Sequence, residues 1–252
     1  MRDPVAHKTA KAAGDGIWQK IQNVSRVTWT AGGWILATPM ALAVILFGMS
    51  FDHVLRMLVT MTSQYYRLIE LPEASFGLIG SGVALIGLVV PRVAREMVGR
   101  FSPIGNVCWV LGLSMASLWG VTLFVPYLGV LPMVMVFVTM MLTSFFTSHY
   151  LNKITESQQR ATVLSFKGLA FNAAYGMIGI LYAGLITRLR HGLQGTNPQW
   201  SRALVEDEAF RLSMASFPWY LGGVFLLVVV VCWLHFRHID GAVTVNRTES
   251  KQ

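Results

Sequence analysis

Long stretches without a charged side chain, separated by short charged segments, set the pattern of this chain. Val27 to Phe51 has no Asp, Glu, Lys or Arg over 25 residues, and beyond Asp52, His53 and Arg56 the apolar run resumes as Met57–Tyr66. Ala74–Pro91 is a second run. Phe101–Ser148 is uncharged for 48 residues. A membrane helix needs about 20 apolar residues, so this run divides into two at Val125-Pro126-Tyr127-Leu128-Gly129. Gly168–Thr187 and Leu212–Leu234 complete the set. Inside lipid each backbone N–H and C=O must be satisfied within its own segment, so runs of this kind predict helices.

The pattern therefore predicts an all-α integral membrane protein with six transmembrane helices within residues 34–238. A basic segment, 1–33, precedes them, and a tail, 239–252, follows. Ile17, Ile21 and Val24 recur at helical spacing within Ile17–Thr28, which predicts an amphipathic surface helix there. Residues 188–211 form the one long loop on the outer side. Asn197-Pro198 offers a helix start, and Glu206-Asp207-Glu208 precedes Arg211, predicting a solvated helix that leads into the last span.

Composition sharpens this reading. Hydrophobic residues make up 54% of the chain and charged residues 13%. Soluble domains carry about 25% charged residues, so an ordinary soluble enzyme is excluded. The net charge is +8. No basic cluster is interleaved with stacking aromatics, so nucleic acid is not an expected partner. With the N-terminus inside, fourteen of the twenty Lys and Arg residues fall in inner segments. That bias orients both termini to the cytoplasm. Cys108 and Cys232 both lie in apolar runs, with neither disulfide nor metal-ligand spacing.

The nearest approach to an intramembrane protease motif, Ile79-Gly80-Ser81-Gly82, lacks the first glycine. The sequence shows no phosphate loop, zincin helix or nucleophile elbow. No enzymatic activity, metal or cofactor is expected.

Candidate chemistry lies on the first span. Taken as one helix over residues 34–64, it is roughly 46 Å long. Thr38, Asp52, Arg56 and Ser63 then fall within about 40° of one another. Such a polar stripe faces a cavity or a neighbouring helix. Asp52 and Arg56 stand at i,i+4 and can pair. Asp52 is expected near the outer end of the hydrocarbon core. The third and sixth spans have few polar side chains, apart from Ser114, Ser117, Thr122 and Tyr220, and are expected to face lipid. The second span (Gly77, Gly80, Ser81, Gly82, Ala84, Gly87) and the fifth (Gly168, Ala170, Ala173, Ala174, Gly176, Gly179) are rich in small residues. Small residues allow close helix approach. Asn172, an amide in mid-span, needs a partner or a ligand.

Two loops carry a family resemblance. Gly87-Leu-Val-Val-Pro91-Arg92-Val-Ala94-Arg95-Glu96 resembles the major facilitator signature G-x-x-x-D-R-x-G-R-[RK]. Gly87, Arg92 and Arg95 match it, whereas Pro91, Ala94 and Glu96 depart from it. Tyr150 to Ser165 resembles the segment before the eleventh helix of many bacterial major facilitator transporters, where an R-A-T-x-L-S run opens the helix.

The resemblance covers roughly residues 16–240. It implies the C-terminal six-helix half of a major facilitator fold, built as a 3+3 inverted repeat, with residues 1–33 as the end of a central linker. It further implies that the first and fourth spans line a central cavity, that the second and fifth meet the other half, and that the third and sixth lie outside. The expected function is secondary active transport of a small solute by alternating access, with protons as a candidate coupling ion. The expected setting is the bacterial inner membrane.

Substrate and coupling candidates are Asp52, Arg56, Gln64, Tyr65, Thr139, Thr143, Asn172 and Tyr175, with His53 as second choice to Asp52 for a proton. Gly87, Arg92 and Arg95 in one loop, and Glu156, Arg160 and Ser165 in the other, are the candidate cytoplasmic gating residues. Glu156 and Arg160 are spaced to pair. A second six-helix half or a homodimer partner is expected. A non-transporting adaptor or a split-gene remnant is the alternative from another class.

Overall fold

A proline opens the first span. Pro39 fixes its own φ and disfavours helix in the residue before it, and Thr38 is extended, with φ −111° and ψ 96°. The computed structural model describes the backbone of residues 32–249 and the side chains of residues 32–237. The basic segment through residue 31, with the expected Ile17–Thr28 helix, lies outside the described residues.

After a helical stretch at 32–37, the elements are α1 (Pro39–Thr60), α2 (Thr62–Leu68), a 3-10 turn (Glu73–Ser75), α3 (Phe76–Arg100), α4 (Pro103–Thr122), α5 (Val130–Ile154), α6 (Arg160–Thr196), α7 (Arg202–Met214) and α8 (Ser216–Glu249). No strand occurs among the described residues. Six helices are long and apolar enough to cross a membrane. They are α1, α3, α4, α5, α6 and the apolar part of α8, in the order the sequence predicts. The turn at 126–129 separates α4 from α5 as expected.

Two local expectations are corrected. Residues 34–64 are not one helix: the chain breaks at Thr38 before Pro39 and again at Met61 (φ −98°, ψ 6°). The first span is thus α1 alone, 22 residues, or about 33 Å at 1.5 Å per residue. That matches a hydrocarbon core of about 30 Å without excess. The long loop is also shorter than expected. Helix α6 runs on for 37 residues to Thr196. The next helix starts at Arg202, where the Ser201 hydroxyl accepts from the Leu204 N–H at 3.2 Å, an N-cap that Asn197-Pro198 does not supply.

Packing centres on α1 and α5. Helix α1 contacts α5, α6 and α8, while α5 contacts α1, α3 and α4. Lipid tails are as apolar as leucine, so close van der Waals fit holds such helices together. Gly48 supplies that fit: a Cβ built there would stand 2.9 Å from Phe171 Cζ and 3.0 Å from Thr147 Cγ2. Phe51, Val54, Leu55 and Leu58 of α1 are buried beside Val136 and Leu142 of α5. Helix α4 does more than face lipid. It exposes Ile104, Trp109 and Trp119 but buries Ser114 and Ser117 completely. By contrast, α3 and α6 each bury only 11% of their apolar window.

The end of the bundle beyond Thr60 is closed by polar links between short segments. The Tyr65 hydroxyl donates to the Gly129 carbonyl at 3.1 Å, and the Tyr127 N–H donates to the Ile69 carbonyl at 2.9 Å. Arg211 donates to the Leu68 carbonyl at 3.3 Å and lies 4.7 Å from the centre of the Phe124 ring. Glu70, Phe124 and Tyr127 hold positive φ, a conformation that costs non-glycine residues energy and persists where the surroundings impose it. Tyr65→Phe removes one buried hydrogen bond, worth about 1 kcal/mol. Its expected effect is a fall of about 2–4 °C in the unfolding midpoint of the detergent-purified protein. An unchanged midpoint would mean that the link does not hold this end together.

Candidate functional site

Helix α1 brings its two charges into an apolar span at successive turns. Asp52 is 4% exposed, and Arg56 Nη2 lies 2.6 Å from its Oδ2. Asp52 Oδ2 is buried, and no donor besides the Arg56 guanidinium reaches it. Burying a carboxylate is expensive unless a cation and further donors accompany it. Here the cation is present and further donors are not.

Arg56 also reaches across to the fifth span. Its Nη1 donates to Asn172 Oδ1 at 2.8 Å, and its guanidinium carbon lies 5.5 Å from the centre of the Tyr175 ring. Asn172 thus has its partner, and that partner is an arginine more than a hundred residues earlier in the chain. Four candidates, Asp52, Arg56, Asn172 and Tyr175, form one network that ties α1 to α6.

The network heads an open cleft of about 750 Å³. Its walls come from α1 (Asp52, Arg56), α3 (Gly87, Val90, Pro91) and α5 (Ser144, Ser148, His149, Asn152 among others). The cleft runs from Asp52 to Asn152, two residues before α5 ends. Pro91 lies inside α3 and has no N–H, so the Gly87 carbonyl loses its usual helical donor. Both residues line the cleft. Its polar side chains are hydroxyls, an amide, an imidazole and the Asp52–Arg56 pair, set among the apolar Val90, Met140, Met141 and Phe145.

The other candidates lie elsewhere. His53 turns away from the cleft: its Nδ1 lies 2.6 Å from the Met49 carbonyl and its Nε2 lies 3.2 Å from the Tyr220 hydroxyl on α8. Since Nδ1 must donate to that carbonyl, Nε2 accepts from Tyr220 in the neutral ring. Gln64 is half-buried on α2, and Tyr65 is fully buried in the closed end. Thr139 and Thr143 are buried in the bundle and satisfy themselves, donating to the Met135 and Thr139 carbonyls at 2.7 and 2.8 Å.

The expected gating loops are largely helix: Gly87, Arg92 and Arg95 lie within α3, which runs on to Arg100, and Arg160 and Ser165 lie within α6. Gly87 lines the cleft, while Arg92, Arg95, Glu156, Arg160 and Ser165 are exposed. The expected Glu156–Arg160 pair is absent among the described ion pairs, and Arg160 Nε donates to the Thr155 carbonyl at 3.3 Å instead. An i,i+4 pair requires both residues on one helix, but α6 begins only at Arg160.

Two polar pairs escaped the sequence reading. Lys167 looks like a loop cation, yet it lies on the half-buried part of α6. Its Nζ donates to Ser148 Oγ at 3.0 Å and sits 5.3 Å from the centre of the Phe171 ring. The available signal is spacing: Lys167, Phe171 and Tyr175 recur every fourth residue on one helical face. Asn106, 1% exposed, donates through Nδ2 to the Tyr150 hydroxyl at 2.7 Å, and its Oδ1 has no partner. Both residues line a separate, almost wholly apolar cavity of about 240 Å³ bounded by α1, α4, α5 and α8. Among the described residues, no three His, Cys, Asp or Glu side chains converge as metal ligands.

Six apolar helices around an ion pair whose carboxylate is buried fit a multi-pass membrane protein. Compared with models of protein families, with curated proteins and with solved structures, the chain matches none.

Proposed function

We propose that this protein is a secondary active transporter of small solutes, of the major facilitator type, acting as one six-helix half. The observation that carries this reading is the Asp52–Arg56–Asn172 network at the head of the cleft. Ionisable groups inside a span are expensive to keep there, and they mark solute or ion pathways. Asp52, the carboxylate on the cleft wall, is the group that would exchange a coupling proton. Arg56, Asn172 and Tyr175 would link that event to movement between α1 and α6.

The packing order supports a 3+3 inverted repeat. The first span packs on the fifth and sixth, and the fourth packs on the second and third. An inverted pair of three-helix units produces this exchange, because swapping the units turns one set of contacts into the other. The glycines of the second and fifth spans support a missing partner. Cβ atoms added at Gly77, Gly80, Gly82, Gly168, Gly176 or Gly179 would meet nothing within 4 Å. A lipid-facing surface has no need of such flat faces, whereas a second six-helix half would pack against them. That half is either another chain or a second copy of this one. The excess of Lys and Arg in the inner segments favours cytoplasmic termini in a bacterial plasma membrane.

The experiment is reconstitution. Cysteine pairs placed on the glycine faces of α3 and α6 are expected to crosslink into a dimer, or to a co-purified six-helix chain, and the assembled form is expected to carry solute flux in liposomes. A chain that is strictly monomeric and carries no flux would favour the adaptor reading.

A further inference from the structure

We propose that the cleft takes an anionic oxygen group, a carboxylate or a phosphate, with Lys167 as its principal cation. This rests on the transport reading and names the class of solute. The cleft wall holds one carboxylate and one guanidinium, Asp52 and Arg56, and Lys167 stands behind it, bonded to the lining residue Ser148. Asp52 is already engaged by Arg56 at 2.6 Å. Lys167 lies within electrostatic reach of both, but its only hydrogen-bond partner among the described residues is the neutral Ser148 hydroxyl.

No carboxylate lies within ion-pair distance of Lys167 among the described residues. The ion pairs among the described residues leave Lys167 out: Asp52, Glu73, Glu96 and Glu206 each pair with an arginine, and Glu70, Asp207 and Glu208 pair with no cation there. Glu156 is exposed in the loop before α6.

An ammonium carries three donors, and Lys167 uses one. Ser148, which takes that donor, lines the cleft, as do Ser144 and Asn152, so Lys167 meets the cleft at a wall whose neighbouring side chains can also bind oxygen. A half-buried cation whose nearby carboxylate is already held by an arginine leaves part of its hydration unreplaced, and an anion supplies what is missing. A cationic solute would meet the reverse: its only attractor, Asp52, is occupied, and Lys167 repels it.

The test uses the full chain in neutral detergent. Unfolding midpoints are measured with phosphate, succinate or citrate, with choline, and with glucose, at constant ionic strength balanced by chloride. Short-chain phosphatidylglycerol and phosphatidylcholine form a second arm, which separates a lipid headgroup from a free anion. At least one anion is expected to raise the midpoint by several degrees. Lys167→Met should weaken its apparent affinity at least tenfold. Lys167→Arg should keep the effect, as should Arg202→Gln on the exposed face of α7. Removing a half-buried charge should not harm the fold, and the Lys167→Arg variant checks this.

Stabilisation by choline instead of the anions would overturn the proposal. So would an anion effect unchanged in Lys167→Met, or no response to any anion. Anion binding without flux in liposomes would sink the transport reading and leave the anion site standing. Flux of a cation without anion binding would do the opposite.

Discussion

Asp52→Asn is expected to reduce pH-gradient-driven uptake to the level of empty liposomes while the chain still inserts and accumulates. Asparagine keeps the shape and volume of the aspartate but removes its charge and its titratable proton. Removing one partner of a fully buried ion pair costs about 3–5 kcal/mol. Here the Arg56 side chain is 31% exposed and keeps its bond to Asn172, so solvent and the amide stabilise it. The loss of stability should be nearer 1 kcal/mol, as for partly exposed pairs. The effect therefore separates: coupling is lost and the fold is kept. Solute exchange without a pH gradient should persist, because that step does not require Asp52 to change its charge. Uptake that still follows the pH gradient in the variant would remove Asp52 from the pathway.

The second large effect is on the fold. Gly48→Val places two methyl groups where a single Cβ already crowds Phe171 and Thr147. Those residues belong to α6 and α5, so the wedge acts on both main contacts of α1 at once. Overpacking typically costs about 1–3 kcal/mol, and this site should reach the upper end of that range. The unfolding midpoint in detergent should fall by about 6–12 °C. Gly80→Val and Gly176→Val are the contrast, since an added Cβ there meets nothing within 4 Å. They should leave the isolated chain's midpoint nearly unchanged and weaken crosslinking to a second half. A midpoint for Gly48→Val equal to that of Gly80→Val would show that α1 does not depend on close approach at residue 48.

Much of the bundle is legible in the sequence, because each span must satisfy its own backbone in lipid. Length and polarity alone therefore locate the six helices and the turn at 126–129. The Asp52–Arg56 pair is legible for a related reason, since i,i+4 on one helix puts side chains together whatever lies around them. That local rule fails at Glu156 and Arg160, where the helix has not yet begun, and at residues 34–64, where Pro39 and Met61 divide the segment.

Only the tertiary structure decides which distant groups meet. Arg56 with Asn172, Lys167 with Ser148, and Asn106 with Tyr150 each join two helices whose relative depth and rotation are set by side-chain packing. It also decides that His53 turns to α8 while Asp52, its neighbour, lines the cleft. Successive residues on a helix point about 100° apart, so the packing of α1 against its neighbours assigns each side chain its face. The sequence by itself thus determined how many helices cross and where the charges lie along them. The crossing and rotation of those helices determined which charges share a cleft.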